Sequence, residues 1–341
     1  MHTEQLSSSE FYQSSYLAKL QQAVQTFVID ADYKVSTVSA EAMSNKQDPH
    51  SLIVSCGALN LEKLLAVQTS LSKQLAVVGW QISESRSNSA QWVAKASVNL
   101  LTDQQQALQT AISETAQQQQ VELAVVQQAP TFATPGLLVL DMDSTVIQVE
   151  CIDEIAKLAG VGEQVANVTE LAMQGKLDFS ASLNQRVACL EGIEESLLRA
   201  IRDRLPLMPG IERLVHVLQS QGWKVAIASG GFTYFANYLQ QRLNLDAAVS
   251  NTLDIVDGKL TGQVTGQIVD AQVKATTLEN LAAQFDIPMS QTVAMGDGAN
   301  DLTMMNVAQL GVAFKAKPIV SAQAQTSIRF AGLDTMLDYL A

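Results

Sequence analysis

From Gly136 onward, short apolar segments alternate with longer segments of helical periodicity, and this alternation constrains the fold more than any other feature of the chain. Strands of a parallel sheet are buried on both faces, and helices connect them along the chain. The pattern therefore predicts an α/β fold with a Rossmann-like parallel sheet. The predicted strands are residues 137–140, 224–228, 247–250, 292–295 and 311–314.

More than 80 residues separate the first two predicted strands, which is far longer than an ordinary connection in such a sheet. Helical spacing within this segment predicts an inserted helical cap at about residues 150–208, with helices at 152–159, 165–173, 180–190 and 194–205. Further on, residues 253–267 alternate polar and apolar side chains around Asp257-Gly258, which predicts a β-hairpin.

A segment rich in proline and glycine at residues 127–136 predicts a boundary between two domains, residues 1–130 and 131–341. Before it, the patterns give the order βαββαβ, an α+β ferredoxin-like arrangement. The segments are 52–55, 61–75 with Asn60 as N-cap, 76–82, 92–98, 104–120 with a capping box beginning at Thr102, and 121–126. In residues 1–45, only residues 27–29 indicate regular structure.

The composition is that of a globular protein, with 47% hydrophobic and 16% charged residues. A formal net charge of -13 excludes nucleic acid as the expected partner, because phosphate backbones require clustered Lys and Arg. The three cysteines show no metal-binding spacing, and we interpret them as small buried side chains. Without a signal peptide or a membrane-spanning segment, the expected location is cytoplasmic, with no membrane partner.

Two carboxylates, Asp141 and Asp143, come directly after the first predicted strand, in the sequence Asp141-Met142-Asp143-Ser144-Thr145. Ligands of α/β sheets bind at this end of the strands. Alternation along an extended strand would direct both side chains to the same side, where they could share a metal and a phosphate. Taken alone, the pair could equally cap the following helix.

Three further segments follow predicted strands or the hairpin. Ser229-Gly230-Gly231 offers a hydroxyl and uncrowded backbone N–H groups for phosphoryl oxygens, although a glycine pair is more often only a turn. Lys274 is a single cation after the hairpin. The segment 296–301, with the sequence Gly-Asp-Gly-Ala-Asn-Asp, brings two more carboxylates to a strand end, and oxygen ligands suit Mg²⁺.

In this order, the four segments resemble the four motifs of haloacid dehalogenase-like phosphotransferases, over about residues 136–341. The resemblance implies that Asp141 is the nucleophile and Asp143 the general acid/base. It implies that Ser229, Gly230 and Lys274 bind phosphate. It implies a Mg²⁺ site formed by Asp141, Asp143 through its backbone carbonyl, and Asp297, with Asp301 as a supporting carboxylate.

The sequence from Asp141 to Asp153, together with Phe179, Arg186 and the hairpin sequence at 257–262, is similar to phosphoserine phosphatases in particular. That resemblance implies that Glu150 binds the ammonium group of O-phosphoserine, that Arg186 binds its carboxylate, and that Phe179 helps to close the pocket. Asn300 would join the phosphate and substrate contacts. The topology of residues 1–130 resembles ACT-like domains, which would allow a homodimer through this domain.

The expected activity is therefore that of a phosphoric monoester hydrolase acting on O-phosphoserine in the last step of serine biosynthesis. Two alternatives remain at this point. One is a phosphatase or phosphotransferase for another small phosphorylated metabolite. The other is a catalytically silent amino-acid-binding regulator, against which the presence of both Asp141 and Asp143 argues.

Overall fold

The computed structural model describes residues 3–6, 13–22, 26–32, 34–38, 50–87 and 91–341. Contacts between Cα atoms divide the chain into two compact units. The first unit comprises Met1–Pro130 and Lys315–Ala341, and the second comprises Thr131–Phe314. The sequence assigned residues 315–341 to the second domain, whereas their contacts place them in the first unit.

The first unit contains an antiparallel sheet with the strand order β1-β3-β2-β5-β6-β4-β7. Its core contains Trp80, Leu52 and Leu64, which are fully buried. The elements before residue 130 are β1 (Thr3–Gln5), α1 (Ser14–Gln22), β2 (Thr26–Ile29), β3 (Lys34–Val38), β4 (His50–Cys56), α2 (Leu61–Ser70), β5 (Leu75–Glu84), β6 (Trp92–Leu100), α3 (Gln105–Gln119) and β7 (Glu122–Gln127).

The order β5-β6-β4-β7 within this sheet is the ferredoxin-like arrangement, so this part of the fold prediction is confirmed. Asn60 is the N-cap of α2, as predicted, and its side chain accepts a hydrogen bond from the Lys63 amide at 2.9 Å. The capping box at Thr102 is wrong. The N-cap of helix α3 is Gln104, two residues later, because Thr102 Oγ1 accepts from the Gln104 amide instead.

The region before residue 45 contains more regular structure than the sequence indicated, since α1, β1 and β3 accompany the predicted strand β2. Strand β2 pairs with β3 on one side and with β5 on the other, which extends the ferredoxin-like sheet. These short strands were missed because their alternation is weak. The sequence predicts no helix or strand for the residues of this region that fall outside the described ranges.

The last residues of the chain are held in the first unit by two buried carboxylates. Glu122 accepts hydrogen bonds from the amides of Arg329, Phe330 and Ala331. Asp338 accepts from the Ser85 hydroxyl at 2.6 Å and from the Arg86 amide at 2.7 Å. The elements of this segment are α12 (Pro318–Gln323), β14 (Thr326–Ile328) and α13 (Met336–Tyr339).

The strands of the second unit lie in the order β11-β10-β9-β8-β12-β13. All neighbours are parallel except β10 and β11, so the predicted parallel sheet is confirmed. The strands are β8 (Leu137–Leu140), β9 (Lys224–Phe232), β10 (Ala247–Val256), β11 (Lys259–Thr265), β12 (Thr292–Gly296) and β13 (Leu310–Phe314). The helices outside the cap are α8 (Ile211–Ser220), α9 (Thr233–Leu243), α10 (Ala271–Gln284) and α11 (Leu302–Val307).

Four helices form the insertion between β8 and β9, which confirms the predicted cap: α4 (Cys151–Leu158), α5 (Gly162–Met173), α6 (Phe179–Ala188) and α7 (Glu195–Arg202). The two ends of the insertion lie side by side, because the Gln148 amide donates to the Pro206 carbonyl and the Met208 amide to the Val146 carbonyl. The chain therefore enters and leaves the cap through two neighbouring segments.

The predicted hairpin is confirmed as β10 and β11, with Asp257 and Gly258 in the left-handed region at φ 51° and 75°. It contacts the cap. The Leu260 carbonyl accepts from the Gly192 amide at 2.8 Å, and the Gly258 carbonyl accepts from the Glu195 amide at 2.8 Å. The hairpin is thus a second attachment of the cap.

Among the described residues, no helix is both long and apolar enough to cross a bilayer. The three cysteines are free. Cys151 is fully buried, as interpreted from the sequence, whereas Cys56 and Cys189 are partly exposed.

Candidate active site

Asp141 follows β8 at the carboxyl end of the sheet, where parallel strands open toward ligands. Its amide donates to the Met295 carbonyl of β12 at 2.9 Å, so the backbone is fixed by the neighbouring strand. Its Oδ1 accepts from the Met142 amide at 2.7 Å. The side chain is 8% exposed, and it is therefore held in one orientation at the base of the site.

Lys274, on α10, lies beneath Asp141. Its Nζ is 2.9 Å from Asp141 Oδ1 and 2.7 Å from Asp301 Oδ1, and the side chain is 1% exposed. Burial alone would lower the pKa of Lys274, but the carboxylates of Asp141 and Asp301 raise it above its ordinary value. This lysine therefore remains a cation, and its place below the pocket explains how a single lysine after the hairpin could matter.

Three carboxylates, Asp141, Asp297 and Asp301, have oxygen atoms within 4.8 Å of one another. Burial, together with the charge of Asp141, raises the pKa of Asp297 to about 7 and that of Asp301 to about 6. Asp301 is already engaged, since Oδ1 binds Lys274 and Oδ2 accepts from the Gly298 amide at 3.0 Å. A cluster of hard oxygen atoms with excess negative charge fits a divalent cation.

Asp143 and Glu150 face the same space from the sheet side and the cap side. Burial raises the pKa of Asp143 well above its ordinary value, and the charges of Glu150 and Asp141 act in the same direction. Partial desolvation also raises the pKa of Glu150, although this residue is exposed, and a hydrogen bond from the Ser144 hydroxyl opposes the shift. The site thus contains Asp143, which favours its protonated form, beside Asp141, which is held by Lys274.

The turn Ser229-Gly230-Gly231 extends from β9 toward these carboxylates. The Gly231 amide donates to Ser229 Oγ at 3.0 Å. A methyl group on Gly230 would lie 2.8 Å from Phe179 Cζ, and one on Gly231 would lie 2.5 Å from Met142 Cε. A side chain at either position would displace these neighbours, and neither glycine has a positive φ.

These side chains surround a pocket of about 380 Å³ between the sheet and the cap. The structure brings nearly all of the residues predicted for the site into its lining, while Lys274 and Asp301 lie behind it. The lining residues are Asp141, Asp143, Glu150, Ile152, Thr169, Met173, Phe179, Leu183, Arg186, Ser229, Gly230, Gly231, Phe232, Asp297, Gly298 and Asn300.

Arg186 enters the pocket from α6. Burial lowers the pKa of its guanidinium group, while Asp153, Glu150 and Asp143 raise it. Its Nε is buried, and no acceptor among the described residues binds it. A buried N–H without an acceptor is costly, so this group is suited to an anionic ligand.

Five lining residues were not predicted from the sequence: Ile152, Thr169, Met173, Leu183 and Phe232. Helical spacing could have found one of them, because Phe179, Leu183 and Arg186 lie at positions i, i+4 and i+7 of the same helix. Ser144 was also missed. Its hydroxyl donates to Glu150 Oε1 at 2.6 Å, from a residue with φ 56°. Nothing in the sequence indicates that conformation.

Comparison with known proteins agrees with this geometry. A curated phosphoserine phosphatase from Vibrio cholerae is 61% identical over 214 residues, which cover 63% of this chain and 65% of that protein. A second, from Haemophilus influenzae, is 57% identical over 222 residues, which cover 65% of this chain and 71% of that protein. The chain thus matches slightly less than two thirds of the length of the Vibrio cholerae relative.

A solved structure supports the same relationship. The unliganded crystal structure of a probable phosphoserine phosphatase from Vibrio cholerae has a TM-score of 0.70 at 48% identity, covering 85% of this chain and 86% of that one. The family of haloacid dehalogenase-like hydrolases matches residues 135–309, just over half of the chain. This range contains all the residues of the candidate site, and the chain belongs to the haloacid dehalogenase-like hydrolases.

Proposed function

We propose that this chain is a phosphoserine phosphatase, which hydrolyses O-phospho-L-serine to L-serine and phosphate in the last step of serine biosynthesis. One observation carries the proposal. Asp141, fixed by Lys274, lies at the base of a pocket whose cap side presents Glu150 and Arg186. The base offers a nucleophile for a phosphoryl group, and the cap offers opposite charges for the two ends of an amino acid.

Asp141 is suited to attack phosphorus. Lys274 and the Met142 amide both bind Oδ1, and among the described residues Oδ2 receives no hydrogen bond. Oδ2 is therefore the oxygen that forms the bond to phosphorus, while the serine oxygen leaves and an aspartyl phosphate remains. A second displacement by water releases phosphate and regenerates the carboxylate.

Charge must be offset before two anions can react. Two unit charges about 4 Å apart repel by roughly 4 kcal/mol at an effective dielectric constant near 20. Lys274 supplies one buried positive charge. We assign Asp141, Asp297 and the backbone carbonyl of Asp143 as ligands of Mg²⁺, with Asp301 as support. When bound, this cation supplies further positive charge to the phosphoryl oxygens.

Asp143 acts as the acid and then as the base. Its raised pKa favours the protonated form with which the reaction must begin. The proton passes to the serine oxygen as the bond to phosphorus breaks, because an alkoxide is a poor leaving group. The resulting carboxylate then accepts a proton from the water that attacks the aspartyl phosphate.

Substrate recognition is assigned to the cap. The carboxylate of phosphoserine would accept hydrogen bonds from Arg186, including one from the buried Nε that has no acceptor among the described residues. Its ammonium group would bind Glu150, whose carboxylate is already oriented by Ser144. Ser229, Gly230 and Asn300 remain for the phosphate and the polar part of the substrate.

Phe179 is assigned to closure of the pocket. Its ring lies against Gly230, so the cap and the phosphate-binding turn are in contact at this point. Water is thereby excluded during the first phosphoryl transfer, and movement of the cap would admit it for the second. A cytoplasmic location and a homodimer through the first unit stay predictions.

The test is release of phosphate from a panel of small phosphoesters, with Mg²⁺ and with a chelator. We expect phosphoserine to be the preferred substrate and activity to require the cation. Asp141→Asn should abolish turnover of every ester. Arg186→Ala should reduce kcat/KM for phosphoserine by at least about tenfold but leave p-nitrophenyl phosphate, which has no carboxylate, nearly unchanged. Equal losses for both substrates would contradict the assignment of Arg186.

A further inference from the structure

Strand β10 lies beside the turn that carries Ser229, and the pairing of the two strands is interrupted there. Val249 pairs with Ala228 and Asn251 pairs with Phe232, so one residue of β10 is opposite three residues of β9. The turn Ser229-Gly230-Gly231 is therefore a bulge that projects from the ladder. A bulge of this kind needs a contact other than the ladder to fix its peptide planes.

Asn251 provides that contact. It is 1% exposed, and its Nδ2 donates to the Gly230 carbonyl at 2.8 Å. Its Oδ1 accepts from the Val269 amide at 2.8 Å. One neighbour is an acceptor and the other is a donor, so only one orientation of the amide satisfies both.

The effect reaches Ser229 through a single peptide group. A trans peptide is planar, with C=O and N–H pointing in opposite directions. The Gly230 carbonyl points to Asn251, and the Gly231 N–H of the same peptide donates to Ser229 Oγ at 3.0 Å. A serine hydroxyl has two lone pairs and one hydrogen. With one lone pair bound by Gly231, its hydrogen remains available to a ligand in the pocket.

We propose that Asn251 is a positioning residue of the phosphate site, which orients the Gly230–Gly231 peptide and, through it, the Ser229 hydroxyl toward a phosphoryl oxygen. The proposal rests on the proposed function, because Ser229 is assigned there to phosphate. Asn251 does not line the pocket and touches no substrate. A purely structural role would require only that Asn251 join Val269 to β10.

Two substitutions separate these roles. Asn251→Asp keeps an acceptor for the Val269 amide but loses the donor to Gly230, whereas Asn251→Ala loses both. Thr261→Ala is the matched control, because it removes a hydrogen bond to Asp254 in the same hairpin without contact with the turn. The measurement is the affinity of the full-length protein for inorganic phosphate in the presence of Mg²⁺, by calorimetry, with circular dichroism to verify folding.

We expect both Asn251 variants to bind phosphate at least about tenfold more weakly, the scale of one lost hydrogen bond to a charged group, and Thr261→Ala to bind normally. In a Ser229→Ala background, Asn251→Asp should have little further effect, because its effect passes through Ser229. Normal phosphate affinity in folded Asn251→Asp, or fully additive effects, would overturn the proposal. Absence of activity toward phosphoserine in the unaltered protein would instead refute the proposed function.

Discussion

At the scale of single residues, the site is defined by carboxylates whose charges are unequally compensated. Asp141 is paired with buried Lys274 at 2.9 Å. Asp297 accepts a hydrogen bond from Thr145 at 3.3 Å, and no cation among the described residues lies within ion-pair distance of it. The negative charge that has no cationic partner therefore lies where a divalent cation would bind. As a result, the stability of the metal-free protein should depend on pH.

The stability of the metal-free protein should fall as pH rises. The pKa values of Asp297 and Asp301 are raised to about 7 and about 6, so the folded protein retains protons that the unfolded chain has released. Between about pH 4 and pH 7, these groups lower the free energy of unfolding with increasing pH. We expect Mg²⁺ to raise Tm more at about pH 8 than at about pH 5, because protons compete with the cation.

Differential scanning fluorimetry with chelator and with Mg²⁺ at both pH values measures this difference. Asp297→Asn removes one titrating group and one ligand, so it should reduce both the loss of stability with pH and the effect of Mg²⁺. An equal rise in Tm at the two pH values in the unaltered protein would contradict the assigned cluster.

Ser144 should affect substrate selection through Glu150. Loss of the hydroxyl removes the 2.6 Å hydrogen bond that orients Glu150 Oε1. We expect Ser144→Ala to raise KM for phosphoserine by roughly threefold to tenfold and to leave p-nitrophenyl phosphate unchanged in steady-state kinetics. Ser144→Gly is the control: it also lacks the hydroxyl but relieves the backbone at φ 56°, so KM should rise equally while stability increases. A rise in KM in only one of the two variants would show that backbone strain, and not the lost hydrogen bond, causes the effect.

At the scale of secondary-structure elements, the hairpin β10–β11 connects the cap to the sheet of the second unit. Glycine at position 262 allows this contact. It has φ 79°, and a methyl group there would lie 3.1 Å from Glu191 Cβ and 3.4 Å from the Ala188 carbonyl. Gly266 has nearly the same φ, 80°, but no atom within 4 Å of such a methyl group. Comparison of Gly262 with Gly266 therefore distinguishes the effect of the left-handed backbone conformation from the effect of contact with the cap.

We expect Gly262→Ala to destabilise the protein by about 1–2 kcal/mol more than Gly266→Ala in thermal or denaturant unfolding. Both substitutions cost the free energy of a left-handed alanine, and only the first also displaces the cap. Gly262→Ala should in addition lower kcat/KM, since Phe179 and Arg186 belong to the helix that it pushes. Equal destabilisation by both would show that the hairpin does not restrain the cap.

The elements of the second unit could be predicted from the sequence because strongly apolar strands alternate there with amphipathic helices. Because ligands of α/β sheets bind at the carboxyl ends of the strands, the sequence predicted that Asp141, Ser229 and Asp297 lie at one edge of the sheet. Other features depend on hydrogen bonds that no pattern encodes. Thr102 binds the Gln104 amide rather than capping α3, and Asn251 was missed because a polar residue in a hairpin strand has no distinctive signal.

At the scale of the whole molecule, residues 315–341 belong to the first unit although they follow the second along the chain. Apolar periodicity identifies buried residues but does not identify their neighbours, so the sequence assigned this segment to the second domain. Its buried side chains include Leu333, Met336, Leu337 and Leu340. A fragment that retains the segment without residues 1–130 therefore lacks Glu122, Ser85 and Arg86, which bind the segment in the first unit.

We expect a fragment of residues 131–314 to fold and to hydrolyse phosphoserine, because it contains every residue assigned to the reaction. A fragment of residues 131–341 should bind a hydrophobic dye more strongly, since its last residues lose the part of their packing that residues 1–130 supply. Size-exclusion chromatography and phosphate release compare the two. A soluble, active longer fragment beside an inactive shorter one would show that residues 315–341 serve the second unit.

The insertion between β8 and β9 has one further consequence. Glu150, Phe179 and Arg186 belong to a single uninterrupted stretch of chain whose two ends are neighbours, whereas Asp141, Ser229, Lys274 and Asp297 lie outside it. Exchange of that stretch with a relative of different selectivity should therefore transplant the choice of ester in one step. Recombination of genes at the two adjacent junctions could produce new enzymes without disturbing the phosphoryl chemistry.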